Sequence, residues 1–445
     1  MLERLIGRRQ ARYPLSVEPL PITELAMPLR LSFSLAEDEQ NSFSLMVAEG
    51  NDIQPGLPLA ANKAGGFLLG LVKGRVAAIT TAPGIRGALE ERVILVEPVA
   101  DTNPIAFAPL DPDSDPVPDL LNRIRQASVF TDSLRPVPLC DLLVAEEGAG
   151  IDTMVVLAAD REPEVRASLQ LFRERPEDAF DALRLLARIS GASEGKLAVP
   201  ETAAAEASRL ADGQDAAIMS LPAEYPHTLE PLVARRTADS ARTRVIAVET
   251  ALAALDAVRH GRVQDKKVLT VIGPDGKARG NFRVQIGTRL KDLLPQCGLG
   301  LNERDKVVAG GPMRGFAQFS LDTAVDAGVD AIMVIPADAV RNWTDDPCVN
   351  CGECLEVCPT NLQAHMLGRY AEFGFFDRAE DLEIAHCIEC GLCGLVCTAG
   401  RPLLQYHRLA KKEIEKRKAD LDKLALDDET KATASDPEPE SELGQ

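Results

Sequence analysis

The residues in this chain best suited to chemistry are its cysteines. There are ten in 445 residues, and eight fall between Cys348 and Cys397. The first run holds Cys348, Cys351, Cys354 and Cys358, followed by Pro359. The second holds Cys387, Cys390, Cys393 and Cys397. Both read C-x2-C-x2-C-x3-C, a spacing that wraps a short stretch of backbone around an iron–sulfur cube. Zinc motifs usually pair two C-x2-C units to give four ligands per ion, and secreted disulfide scaffolds spread their cysteines along a short chain. Two complete runs of four at the end of a long chain match neither. The spacing therefore predicts two [4Fe–4S] clusters and one-electron chemistry.

In bacterial two-cluster ferredoxins the fourth cysteine of each run ligates the other cluster. That pattern assigns Cys348, Cys351, Cys354 and Cys397 to one cluster, and Cys387, Cys390, Cys393 and Cys358 to the second. Gly352, Gly391 and Gly394 are read as permitting tight turns beside the thiols. Thr398 stands where the first run has Pro359, which leaves room for a different exit turn. His365 and His386 lie close to the runs and read as packing or surface residues, since each cluster already has four thiolates. Cys140 and Cys297 have no base beside them in sequence and read as small buried hydrophobes.

A chain of this length has room for two to four domains around the cysteine segment. Residues 1–100 contain short β-like runs with dense turn signals, as in a small β-sandwich. Residues 118–260 alternate strands with helices: Thr153 to Ala158 is an apolar strand, and Phe180, Leu183, Leu186 and Ile189 repeat at helical spacing. Residues 261–336 suggest a compact α+β unit, with a hairpin around Gly-Pro-Asp-Gly and Thr288 capping a helix from Leu290. Residues 337–412 form the cluster segment, with 361–384 read as a helix whose apolar face is Leu362, His365, Met366, Tyr370 and Phe373. Residues 413–445 read as a charged helix leading, from Asp427, into a disordered acidic tail.

The net charge of −19 repels phosphates and anionic lipid headgroups alike, which argues against a nucleic-acid partner. No apolar run reaches the roughly 18 residues a membrane span needs, and the basic start lacks the apolar core of a secretory signal. The expected location is cytoplasmic.

Along most of its length the chain resembles the RnfC family, the peripheral subunit of the Rnf ferredoxin:NAD oxidoreductase complex. Ile151-Asp152-Thr153 with Glu162-Pro163 resembles that family's flavin-domain strand and following motif. Val308-Ala-Gly-Gly-Pro-Met-Arg-Gly315 resembles its Gly-Gly-Pro-Met signature, and the two-cluster segment completes the likeness. The resemblance implies a multidomain α/β and α+β fold: an N-terminal barrel-sandwich β domain, a Rossmann-like α/β domain, a β-grasp (SLBB-like) domain and a C-terminal ferredoxin-like helical domain. It also implies FMN and NADH on the α/β domain. As partners it implies the other subunits of a membrane redox complex and ferredoxin or another protein carrier, with docking on the inner face of the membrane through those subunits.

The chain departs from the family pattern where the cofactor should sit. The family has a glycine-rich loop before the Ile151 strand, whose amides approach phosphate. The matching stretch, 127–140, contains no glycine, while Phe130 and Leu134 add bulk and Asp132 adds negative charge. The family's Asn-Gly-Ala-Glu-Cys-Glu-Pro-Tyr motif is here Leu157-Ala-Ala-Asp160-Arg-Glu162-Pro163-Glu164. A family Tyr-Pro-x-Gly-Gly motif persists only as Tyr225-Pro226-His227. These changes count against bound FMN and NADH. The expectation is thus an electron-relay subunit with no catalytic residue of its own. The alternatives are an FMN-dependent NADH dehydrogenase subunit with an altered loop, or a relative of the cobalamin reductases of bacterial microcompartments.

Overall fold

The computed structural model describes residues 13–35, 42–62, 66–99, 104–144, 150–211, 216–340, 344 and 346–434, with side chains as far as 421. The chain divides into two compact units, Met1–Val340 and Arg341–Gln445.

The first unit is built around a parallel sheet and a mixed sheet. The parallel sheet has the order Ala217–Leu221, Glu194–Pro200, Thr153–Leu157, Thr243–Ala247. The strand Thr153–Leu157 is buried at every position, as expected of a parallel strand covered on both faces. Helix Pro176–Ser190 packs its Phe180, Leu183, Leu186 and Ile189 into the main core together with Leu252, Leu255 and Val258 of helix Val248–His260. Pro176 opens its helix and Gly191, left-handed at φ 72°, closes it. Strand order reverses between Thr153–Leu157 and Thr243–Ala247, so the crevice beyond their C-terminal ends is the switch point where such sheets bind ligands.

The mixed sheet has six strands, centred on Ala331–Ile335, Lys266–Ile272 and Ala278–Gln285. The last two form the expected antiparallel hairpin. Thr288 does not cap the helix Leu290–Gln296; its hydroxyl donates to the Gln285 carbonyl at 2.7 Å. The early residues form a four-stranded and a three-stranded antiparallel sheet around Leu31, Ile53, Leu59, Ile94 and Val96. Two strands leave that group: Ile22–Glu24 joins the mixed sheet beside Asn281–Arg283, and Tyr13–Pro14 pairs with Glu224–Tyr225. Main-chain hydrogen bonding drives both excursions, and no side-chain period announces them.

The second unit is helical. Segment 361–384 is two helices, Ala364–Glu372 and Phe376–Asp381, and not one. Gly374 at φ 74° ends the first, and the Phe375 N–H donates to the Tyr370 carbonyl at 2.8 Å. That break turns Phe373 and Phe375 outward, 64% and 58% exposed, so of the expected face Leu362 is buried and Tyr370 partly so, while Leu367 and Ala371 take the place of Phe373. These pack on Ala410 and Ile414 of the long helix Leu403–Ala434. That helix continues past Asp427; the rest of the acidic tail lies outside the described residues.

Candidate metal centres

Each cysteine run folds in the same way. Asn350 and Glu389, two residues into their runs, are left-handed at φ 53° and 55°. Gly352 and Gly391 follow at φ 83° and 76°, each capping a one-turn helix, Glu353–Glu356 and Leu392–Leu395. Glycine relieves strain only at these two positions; Gly394 lies inside the second short helix. The exit turns also match. The Leu362 N–H donates to Cys358 Sγ at 3.3 Å, and the Arg401 N–H to Cys397 Sγ at 3.4 Å. Thr398 in place of proline changes nothing in that turn.

The eight thiols ring two cavities. One, of about 80 Å³, is lined by Cys348, Cys351, Cys354 and Cys397. The other, of about 20 Å³, is lined by Cys358, Cys387, Cys390 and Cys393. Each ring thus takes three thiols from one run and the fourth from the other. Burial, with Cys348, Cys351 and Cys397 around it, pushes the Cys354 thiol up to about 11. Burial, with Cys390 and Cys387 beside it, likewise holds Cys393 far above the usual thiol range. Four crowded thiols resist becoming thiolates together unless a cationic core neutralises them, so the donor set fits an iron–sulfur cube. Among the described residues, no three His, Cys, Asp or Glu side chains are grouped to hold a single metal ion.

The rings differ in their surroundings. In the first, Cys351 is exposed and accepts from the Thr398 hydroxyl at 3.5 Å, and Val349 beside it is 66% exposed. His365 lines this cavity. The buried Arg401 holds the segment before the ring by donating to the Asp346 carbonyl at 3.0 Å, and it pairs with Glu372. In the second ring, Cys390 and Cys393 are buried. Glu389 pairs there with Arg408 at 2.9 Å and Lys411 at 3.1 Å, and Lys411 also donates to the Cys387 carbonyl at 2.8 Å. His407 donates from Nε2 to the Ala364 carbonyl at 3.0 Å, which leaves Nδ1 3.7 Å from Cys387 Sγ. His386 lines neither cavity and faces Glu383 from an exposed position. The sequence reading missed Arg401, His407, Arg408 and Lys411. The only sequence signal for the last three was helical spacing with Leu403, Leu404 and Ile414 at the end of the cluster segment. Cys140 and Cys297 sit far from both rings in sequence: Cys140 is buried with its thiol donating to the Asp141 carboxylate at 3.4 Å, and Cys297 packs against an apolar core, where burial pushes it up to about 12.

At the switch point of the parallel sheet, side chains fill the crevice. Segment 127–140 is a closed turn: Thr131 N–H donates to the Val137 carbonyl and Leu139 N–H to Val129, both at 2.9 Å. Asp132 points inward, paired with Arg161 and Lys267 at 2.8 Å each. Arg161, 2% exposed, also pairs with Glu230 at 2.7 Å and Asp330 at 2.6 Å. Lys267, 1% exposed, also pairs with Glu249 at 2.5 Å. Burial alone would push the Asp132 carboxyl up, but Arg161 and Lys267 hold it far below the usual range. Four carboxyls share two cations here, and burial raises Asp330 and Glu249. The two motif fragments meet nearby. Glu162 accepts from the Met313 N–H at 2.7 Å and pairs with Arg314 at 2.8 Å, while a Cβ on Gly311 would lie 2.7 Å from its carboxylate. A phosphate here would meet carboxylates where it needs N–H donors. A cleft of about 440 Å³ in this unit has none of residues 127–140 or 158–164 in its lining.

Asp160 sits beside this network and caps the helix Ala167–Glu174 by accepting the Ser168 N–H at 2.8 Å. Burial pushes its carboxyl up from 3.8 to about 7. Between about pH 4 and 7 the folded chain therefore keeps a proton that the unfolded chain has shed, and stability falls as pH rises through that window. The slope is at most about 1.4 kcal/mol per pH unit for one group. Asp160→Asn is expected to flatten the fall in thermal midpoint between pH 5 and 7. An unchanged slope would show that this carboxyl is already ionised in the folded protein.

The segment 341–398 matches the family model for a 4Fe-4S dicluster domain. The chain is 28% identical to the RnfC subunit of the Na(+)-translocating ferredoxin:NAD(+) oxidoreductase complex of Acetobacterium woodii, over 77% of this chain and 81% of that one. It is 26% identical to the counterpart in the proton-translocating complex of Clostridium ljungdahlii, over 67% and 68%. It is 27% identical to the counterpart in the ion-translocating oxidoreductase complex of Erwinia tasmaniensis, over 91% of this chain and about half (53%) of that longer protein. An NAD+-reducing [NiFe]-hydrogenase in the H2-reduced state aligns over 75% of this chain and 69% of its own, at a TM-score of 0.45 and 16% identity. The sequence kinship of this chain is therefore with the RnfC subunits of the ion-translocating oxidoreductase complexes, and its C-terminal part carries a 4Fe-4S dicluster domain.

Proposed function

We propose that this chain is an iron–sulfur electron-transfer subunit. It holds one [4Fe–4S] cluster on Cys348, Cys351, Cys354 and Cys397 and a second on Cys358, Cys387, Cys390 and Cys393. The clusters pass single electrons between redox centres on partner proteins. The observation that carries this reading is the pair of interleaved four-thiol rings. When bound, the clusters supply the one-electron chemistry. The protein positions the thiols, excludes water from the second ring and leaves the first open at Cys351.

The parallel-sheet region then acts as scaffold and docking surface, a flavin-domain-like body whose phosphate crevice is closed by Arg161, Asp132 and Lys267. The early antiparallel sheets and the mixed sheet stand as its barrel-sandwich and β-grasp neighbours. The chain sits at the inner face of the membrane, held by other subunits of the complex, with ferredoxin or another protein carrier as an electron partner. Among the described residues no helix is long and apolar enough to cross a membrane.

The test is cofactor content after anaerobic purification and reconstitution. About eight iron and eight sulfide per chain are expected from two cubes, with no flavin fluorescence after acid release. Stoichiometric flavin would favour the dehydrogenase reading. Four iron or fewer would remove the two-cluster reading.

A further inference from the structure

His365 lines the first thiol-ringed cavity. Its Nδ1 is shut off from solvent and meets no hydrogen-bond partner among the described residues. A buried ring nitrogen without a partner is costly unless something in the cavity accepts or donates to it. The other lining groups explain what that something is. Cys348, Cys351, Cys354 and Cys397 gather there, and Thr398 and the Arg401 N–H already donate to two of their sulfurs. His365 approaches this cavity from the first turn of helix Ala364–Glu372.

We infer that His365, with its ring proton on Nδ1, donates a hydrogen bond to a sulfur of the cluster held by Cys348, Cys351, Cys354 and Cys397, and so raises the potential of that cluster alone. This rests on the reading that the thiol rings hold clusters. A donor stabilises the reduced cluster more than the oxidised one because reduction adds negative charge to the sulfurs. His365 is then a positioning residue that sets one cluster apart from its twin. The second ring's histidine cannot serve in the same way, because His407 spends its Nε2 proton on the Ala364 carbonyl.

The test is a redox titration of reconstituted protein followed by paramagnetic resonance, comparing wild type with His365→Leu and His365→Asn. Asparagine offers an N–H close to the position of Nδ1, and leucine offers none. His365→Leu is expected to shift one reduction wave down by roughly tenfold in the reduced-to-oxidised ratio, equivalent to about 59 mV for one electron. The other wave should stay in place, and His365→Asn should restore most of the shift. Unmoved waves, equal movement of both waves, or equal shifts in the two variants would overturn the inference. So would loss of iron from both variants, which would make His365 a packing residue. If wild-type protein itself fails to hold about eight iron, the ring reading has failed and not this one.

Discussion

Cys358→Ser is expected to abolish the paramagnetic signal of the cluster on Cys387, Cys390 and Cys393, and to cost about half the bound iron. Cys358 belongs by sequence to the first run, but its side chain lines the cavity of the second. Serine is a poorer iron ligand than thiolate, so the damage follows the cavity and not the run. The decisive comparison sets the spectrum of reduced Cys358→Ser against Cys351→Ser and Cys390→Ser. It should match Cys390→Ser. A match to Cys351→Ser would mean that each run closes its own cube, and the interleaved assignment would fall while the cluster count stood. Some loosening of the first cluster is also expected, since Cys397 crosses the other way and the two rings share the segments between their runs.

Lys267→Met is expected to destabilise the first unit by about 3–5 kcal/mol, the usual cost of stranding a buried charge. Lys267 is 1% exposed and faces Asp132, Glu249 and Asp330. Methionine matches its length but leaves Arg161 as the one cation paired with Asp132 and Asp330 among the described contacts. Lys291→Met is the control. Its partner Asp322 and Lys291 itself are both exposed, 55% and 42%, so a change of no more than about 1 kcal/mol is expected. Denaturant unfolding of both variants measures the difference. Equal and small effects would show that the crevice is wetter and looser than the contacts indicate.

The two predictions draw on parts of the chain that differ in how far the sequence disclosed them. The cluster segment was legible because cube ligation is a local demand. Two-residue steps, left-handed positions at Gly352 and Gly391 and a fourth thiol three residues on are all properties of a dozen consecutive residues. Strand Thr153–Leu157 and helix Pro176–Ser190 were legible for a related reason. A continuous apolar run and a period of 3.6 express burial directly.

Where several weak local signals compete, the sequence misled. Segment 361–384 carried apolar residues at helical spacing throughout, and only the left-handed Gly374 divides it. Ile22–Glu24 reads like its neighbours in the first hundred residues, yet its backbone completes a sheet whose other strands begin more than two hundred residues later. Edge-strand pairing is a main-chain interaction and leaves little mark on side-chain pattern.

By itself, then, the sequence determined the chemistry this chain can carry: eight thiols in two ligand runs. The family resemblance implied that 127–140, a stretch without glycine that includes Asp132, takes the place of a phosphate-binding loop. Only the tertiary structure decided what those residues do instead. It turns Asp132 inward onto Arg161 and Lys267, residues distant in sequence, and so closes the crevice with charge. It brings His407 and Lys411 of the last helix to the second ring and leaves Cys351 of the first ring exposed. Ligand spacing is set along the chain, whereas burial, charge pairing and solvent access depend on segments that meet only when the chain is folded.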